Sequence, residues 1–207
     1  MMPKNGHRIQ GFSSESFINA KEILESFKFK GNEVFMDLGC GDGHISMEAL
    51  KLLNDDATVI AIDNYEPSII DLQKDVDEQN IKNLKPIFAD FTEGTPVEDE
   101  SVDVIFLLNV FHHFNAARKS SESIKEMKRI LKPEGKIYVM EYKKQEVRHG
   151  PPYQMRVSDE DVEKMFSDEG FKVLNVDNEV GEDIPEGKSH YLISFQKLKN
   201  LLILILI

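Results

Sequence analysis

Three glycines at alternate positions, Gly39, Gly41 and Gly43, follow the short run Val34-Phe35-Met36 and the acidic Asp37. Glycine accepts positive φ and has no Cβ, so these residues let a strand turn sharply into a helix and let a ligand touch the backbone. The helix is expected to begin near His44, and Cys40 packs inside the loop. A dinucleotide loop of the G-x-G-x-x-G kind needs its third glycine where this chain has His44. Asp42, at the helix start, caps the helix and repels the pyrophosphate that such a position otherwise binds. The loop therefore suits a nucleotide-like ligand without phosphates.

Further acidic and polar residues follow at the ends of apolar runs. Ala57 to Ile62 is a β-branched run, the pattern of a buried parallel strand, and ends at Asp63. A carboxylate about 20 residues past a glycine loop is placed to accept both hydroxyls of a ribose. Pro86 to Phe91 is expected to be a third strand, closing on Asp90 and Phe91, and Val102 to Asn109 a fourth, followed by Val110-Phe111-His112-His113-Phe114.

The segment Asp37-Leu38-Gly39-Cys40-Gly41-Asp42-Gly43 resembles, at every position, the first motif of class I S-adenosylmethionine-dependent methyltransferases: an acidic residue, a small or apolar one, then G-x-G-x-G. The donor carries an ammonium and a sulfonium and only one carboxylate, which suits an acidic loop. The resemblance is nearest to the small-molecule branch typified by ubiquinone- and menaquinone-biosynthesis enzymes, whose fourth strand leads into a similar apolar-His-His turn. The Leu131-Lys132-Pro133-Glu134-Gly135 connection is also typical of that family. It implies S-adenosyl-L-methionine as methyl donor and S-adenosyl-L-homocysteine as product. It places Asp37, Gly39, Cys40, Gly41 and Gly43 in the donor loop, Asp63 and Asn64 at the ribose, and Asp90 and Phe91 at the adenine. Asn109 and Val110 would line the methionine end.

The elements that position these residues alternate strand and helix. Ser121 to Leu131 repeats apolar positions at helical spacing, and Gly135 to Met140 is expected as a fifth strand. After an amphipathic helix at Asp159 to Glu169, strands are expected at Phe171 to Val176 and Tyr191 to Gln196, with a polar loop at Gly181 to Gly187. Such alternation makes a doubly wound α/β sheet with ligands at the carboxyl ends of its strands. The family's final hairpin extends this to a Rossmann-like, three-layer αβα fold of seven strands, order 3-2-1-4-5-7-6, with the last strand antiparallel.

At 207 residues, 41% of them hydrophobic, the chain can bury one core, so 1–207 is expected to be a single domain. One cysteine, Cys40, excludes a disulfide framework, and no basic-then-apolar leader opens the sequence; a cytoplasmic location is expected. The formal charge of −12 argues against a nucleic-acid partner. Lys125, Lys128, Arg129 and Lys132 are its densest basic cluster and form a solvated helix face.

Acceptor chemistry is expected outside that frame. Phe17, Ala20, Leu24 and Phe27 recur at helical spacing within the N-terminal segment 1–30, which either caps the donor or packs on the core. The 141–158 connection holds Tyr142, Arg148, His149, Tyr153 and Arg156 around Gly150-Pro151-Pro152, and is expected to be a substrate loop. Methyl transfer from a sulfonium needs chiefly alignment, plus a general base where the nucleophile holds a proton. His112 and His113 are the candidates for that base, with His149 and Tyr153. No metal site is expected, because the histidines lack ligand spacing.

The segment 198–207 ends in seven consecutive apolar residues, Leu201 to Ile207, too few to span a bilayer, where about 20 are needed. Pairing with a sheet edge or another subunit, as in a homodimer, is preferred over shallow membrane insertion or an anomalous reading-frame end. The expected function is methylation of a small-molecule acceptor. The alternatives are a methyltransferase-like nucleoside-binding partner protein without its own activity, a protein methyltransferase, and a nicotinamide oxidoreductase.

Overall fold

The computed structural model describes residues 18–147 and 150–198. Their strands are β1 (Val34–Leu38), β2 (Thr58–Asp63), β3 (Leu84–Phe88), β4 (Val102–Leu108), β5 (Leu131–Tyr142), β6 (Phe171–Ile184) and β7 (Gly187–Lys197). They form a seven-stranded sheet in the order β3-β2-β1-β4-β5-β7-β6. β1 to β5 pair in parallel, and β7 runs antiparallel to both β5 and β6. The expected Rossmann-like topology is therefore present. The helices are α1 (Ala20–Ser26), α2 (His44–Leu52), α3 (Glu66–Glu78), α4 (Phe111–Ala116), α5 (Ser120–Ile130) and α6 (Asp159–Asp168).

Two helical layers explain why the central strands are apolar at successive positions, since side chains alternate between faces and both faces are covered. Phe35, Ala61, Phe106 and Met140 meet Leu24, Ala49 and Leu72 from α1, α2 and α3. Met36, Ile60, Leu107 and Val139 meet Phe111, Ile124 and Phe166 from α4, α5 and α6. No helix among the described residues is long and apolar enough to cross a membrane.

Several boundaries differ from the sequence expectation. β3 ends at Phe88, because Asp90 turns the chain into a 3-10 turn, Phe91–Glu93, by accepting from the Thr92 backbone N–H at 2.9 Å. β5 begins at Leu131, which pairs with Val102 across a register shift, so the Lys132-Pro133 connection is drawn into the strand. Gly181 to Gly187 is not a loop: β6 continues to Ile184 and β7 starts at Gly187, leaving Pro185 and Glu186 as the turn. Gly181 has φ +88° where the β6 ladder shifts register, and a Cβ there would lie 2.4 Å from His190 Nδ1. Polarity alone suggested a loop, but β6 is an edge strand and tolerates polar residues on its open side.

Of the helix expected over Ser14 to Phe27, the described residues hold α1, capped by Asn19, and Ser14 to Phe17 lie outside them. Ile23, Leu24 and Phe27 are buried, and the Phe27 ring stacks on Tyr138 with centroids 3.8 Å apart. The described part of the 1–30 segment thus packs on the sheet. Phe17, Arg148, His149 and all of the apolar tail after Leu198 lie outside the described residues.

Candidate active site

β1 and β4 are neighbours whose connections leave in opposite directions, and the site forms at the carboxyl ends of these strands and of β2. The Gly39 and Cys40 backbone N–H groups both donate to the Ile62 carbonyl, at 2.7 and 3.0 Å, which ties the glycine loop to β2. Gly39, Gly41 and Gly43 have φ of +78°, +52° and +79°. At Gly39 a Cβ would lie 2.3 Å from Val110 Cγ2, and at Gly43 2.6 Å from Leu72 Cδ1. The alternation of glycines is therefore enforced both by backbone conformation and by what packs on the loop. Asp42 Oδ1 accepts from the His44 N–H at 3.2 Å, while Gly43 is the residue that caps α2.

Carboxylates organise this loop from below and beside. Asp37 is buried, and its Oδ2 accepts from Ser46 Oγ at 2.6 Å. Burial pushes its carboxyl up to about 7, against the Ser46 hydrogen bonds and with help from the nearby Asp63 and Asp42 charges. The same surroundings push the buried Cys40 thiol well up, so it packs as an inert side chain. Asp63 Oδ2 accepts from the Gly41 N–H and Oδ1 from the Tyr65 N–H, each at 2.8 Å. Each oxygen retains a lone pair for a ligand hydroxyl. Asn64, next to it, is exposed.

The far walls come from β3 and β4. Asp90 uses Oδ1 for the Thr92 N–H and Oγ1, with Oδ2 uncommitted among the described residues, and Phe91 is buried against Phe114. Asn109 follows β4 in the left-handed region, φ +57°, with its N–H donating to the Met140 carbonyl at 2.9 Å. Its Oδ1 is buried without a hydrogen-bond partner among the described residues. An unmatched buried acceptor is costly unless a ligand donor meets it.

The donor implied by the resemblance carries an ammonium, a ribose diol and an adenine amine. Asn109 Oδ1, Asp63, Asp90 Oδ2 and Asp37 supply acceptors or carboxyl groups, and none of them bonds a lysine or arginine among the described residues. Such a set fits an ammonium, a ribose diol and an exocyclic amine, and it opposes phosphate. Asp37, Gly39, Cys40, Gly41, Gly43, Asp63, Asn109 and Val110 come together at one loop, and Asp90, Phe91 and Asn64 stand at the ends of the adjoining strands.

The candidate bases separate. His112, on α4, is buried with Nδ1 2.9 Å from Glu141 Oε2. His113 lies beside it, ring centroids 4.2 Å apart; burial and the neighbouring His112 hold its imidazole below the usual value, partly offset by Glu141 and Asp63. Tyr153 is 53% exposed and opens a 3-10 turn, Tyr153–Met155, that packs on α4. Arg156 is buried under the same loop: its Nε donates to the Pro151 carbonyl at 2.9 Å, and its Nη1 to the Lys143 and Gln145 carbonyls. Arg156 thus shapes the segment after β5. Among the described residues no three His, Cys, Asp or Glu side chains assemble to hold a metal ion.

Glu141 is the polar residue that sequence reasoning missed. It follows the apolar run Ile137 to Met140 as Asp63 follows the run Ala57 to Ile62, and that pattern is the signal that could have found it.

Comparison with known proteins supplies the family. Residues 29–197 match a family model described as a methyltransferase domain. The demethylmenaquinone methyltransferase of Lactobacillus johnsonii is 25% identical over 122 residues, 58% of this chain and 48% of that protein. The tRNA (carboxymethyluridine(34)-5-O)-methyltransferase ALKBH8 of Mus musculus is 27% identical over 180 residues, 83% of this chain and 25% of that protein. The chain therefore spans about half or less of the length of these relatives. In fold, a SAM dependent methyltransferase from Aquifex aeolicus superposes with a TM-score of 0.80 at 24% identity, covering 96% of this chain and 100% of that one. With the family model spanning the whole sheet and the glycine loop, the chain belongs to the class I S-adenosylmethionine-dependent methyltransferases, whose donor is S-adenosyl-L-methionine and whose product is S-adenosyl-L-homocysteine.

Proposed function

We propose that this protein moves a methyl group from S-adenosylmethionine to a small-molecule acceptor by in-line displacement. The observation that carries the reading is the cluster of uncommitted acceptors around the glycine loop, above all Asn109 Oδ1. The donor supplies an electrophilic methyl group on a sulfonium, so the chain's own work is binding, alignment and exclusion of competing nucleophiles. Asn109 Oδ1 would accept from the ammonium, the two Asp63 oxygens from the ribose hydroxyls, and Asp90 Oδ2 from the adenine amine. Gly39, pressed against Val110, leaves no side chain between the loop and the ligand.

The charge of −12 supports a small acceptor over a polyanion. The tRNA-modifying relative makes RNA the alternative that the test must separate. Calorimetry with S-adenosylmethionine and S-adenosylhomocysteine should give saturable binding of both, and no binding of either removes the donor half. A cell extract incubated with methyl-labelled donor should then yield label in the small-molecule fraction. Label confined to RNA or protein overturns the acceptor class.

A further inference from the structure

Both oxygens of Glu141 meet one residue. Glu141 is 1% exposed; its Oε1 accepts the His112 backbone N–H at 3.1 Å and its Oε2 lies 2.9 Å from His112 Nδ1. His112 is the only hydrogen-bond partner of this carboxylate among the described residues. The backbone contact fixes the carboxylate relative to α4, so the ring edge that faces Oε2 is set by the main chain. A carboxylate oxygen facing a bare ring nitrogen would set lone pair against lone pair, whereas facing Nδ1–H it accepts a hydrogen bond. The neutral ring is thereby held with its proton on Nδ1 and its lone pair on Nε2. That Nε2 bonds nothing among the described residues, and the His112 side chain is 5% exposed. His112 is three residues past Asn109, and Val110 between them rests on Gly39.

We propose that Glu141 is a positioning residue that makes His112 Nε2 the proton acceptor for an incoming nucleophile, so that the methyl acceptor is a molecule with an ionisable O–H, as in a phenol or enol, or an N–H. A buried carboxylate with a single imidazole partner has no use in methylating a thioether or another group without a proton. In the step, the nucleophile's proton passes to Nε2 while its electron pair forms the new bond to the methyl carbon. The carbon–sulfur bond breaks with its pair left on sulfur, which becomes a neutral thioether. The imidazolium then stands opposite the Glu141 carboxylate and returns its proton to water. The proposal rests on the donor-site reading above.

The test uses the full chain labelled with 15N-histidine and saturated with S-adenosylhomocysteine. Two-bond proton–nitrogen spectra at pH 8 should show His112 protonated on Nδ1 and bare on Nε2. Glu141→Gln keeps an oxygen for the backbone N–H but turns an NH2 toward Nδ1, which should move the ring proton to Nε2. Labelled S-adenosylmethionine offered with a phenol, a primary amine and a thioether should methylate the phenol or the amine. That transfer should fall at least about a hundredfold in Glu141→Gln and in His112→Gln, the range expected for loss of a general base. Binding of S-adenosylhomocysteine should stay within about threefold, a change of under 1 kcal/mol. An Nε2–H ring in the wild type, a tautomer unchanged by Glu141→Gln, transfer to the thioether alone or to no protic probe, or transfer indifferent to both variants overturns the proposal. Absence of S-adenosylhomocysteine binding in the wild type would instead overturn the donor-site reading.

Discussion

Replacing Gly39 with alanine imposes two strains that can be separated experimentally. The backbone there has φ +78°, a region that costs a residue with a Cβ about 1 to 2 kcal/mol. The added carbon would also lie 2.3 Å from Val110 Cγ2 and 3.1 Å from Cγ1, so the valine or the loop must move. Overpacking of this kind costs about 1 to 3 kcal/mol. The sum, about 3 kcal/mol, should lower Tm by roughly 6 to 12 °C for a domain of this size. Because the loop and Val110 border the donor site, S-adenosylhomocysteine binding should weaken at least about thirtyfold, equivalent to 2 kcal/mol. Val110→Ala removes both Cγ atoms and leaves only a Cβ contact near 3.3 Å, so in the double variant the steric part should return while the backbone part remains. A cycle of the four proteins, followed by thermal unfolding and calorimetry, should give a favourable coupling of about 1 to 2 kcal/mol. Equal Tm and affinity in Gly39→Ala and wild type, or additivity in the double variant, would refute the account of this loop.

Other residues give cleaner single tests. Burial pushes Asp37 from 3.8 up to about 7, so between those values the folded chain holds a proton that the unfolded chain has released, and stability falls as pH rises. Asp37→Asn keeps an oxygen for Ser46 and should gain on the wild type by up to about 4 kcal/mol between pH 4 and pH 8 in urea unfolding; a pH-independent difference would contradict this. Asn109→Gly deletes the unmatched Oδ1 while accommodating φ +57°, so stability should change by under about 1 kcal/mol. Donor binding should nevertheless weaken about five- to tenfold, and unchanged affinity would remove Asn109 from the site. Arg156→Ala leaves the Pro151, Lys143 and Gln145 carbonyls without their charged donor, and should open the described residues around them, 143–147 and 150–155, by about 2 to 4 kcal/mol in hydrogen exchange. Unaltered protection of those residues would show that the arginine does not hold them.

How much of this was legible in the sequence depended on whether a residue answers to its neighbours in the chain or to partners far from it. β1, β2 and β4 are buried on both faces, so their apolar runs announced them. The glycine loop was equally plain, because its conformation is local. β3 was shifted because Asp90 caps a turn through its own side chain, and an acidic residue after an apolar run looks the same whether it ends a strand or starts a turn. β6 was cut short because an edge strand carries polar residues on its open side and a register shift at Gly181, both of which look like loop from sequence.

Glu141 illustrates the other case, in which the information exists but only after the sheet is ordered. Parallel pairing sets Leu108 opposite Met140, and the Asn109 N–H bonds the Met140 carbonyl. The residue after Met140 must then emerge beside the first turn of the helix that follows β4, and that turn begins Phe111-His112. Once β4 and β5 are neighbours in register, a carboxylate after Met140 meets an imidazole after Phe111 with no further assumption. Neither residue signals the other across a separation of 29 positions. Strand order, which the doubly wound rule does supply, is thus what converts two unremarkable side chains into a pair with a defined tautomer. The same reasoning places Val110 on Gly39: they lie two residues and one residue beyond adjacent strands at the switch point, so the demand for glycine in the loop comes partly from a residue 71 positions later in the chain.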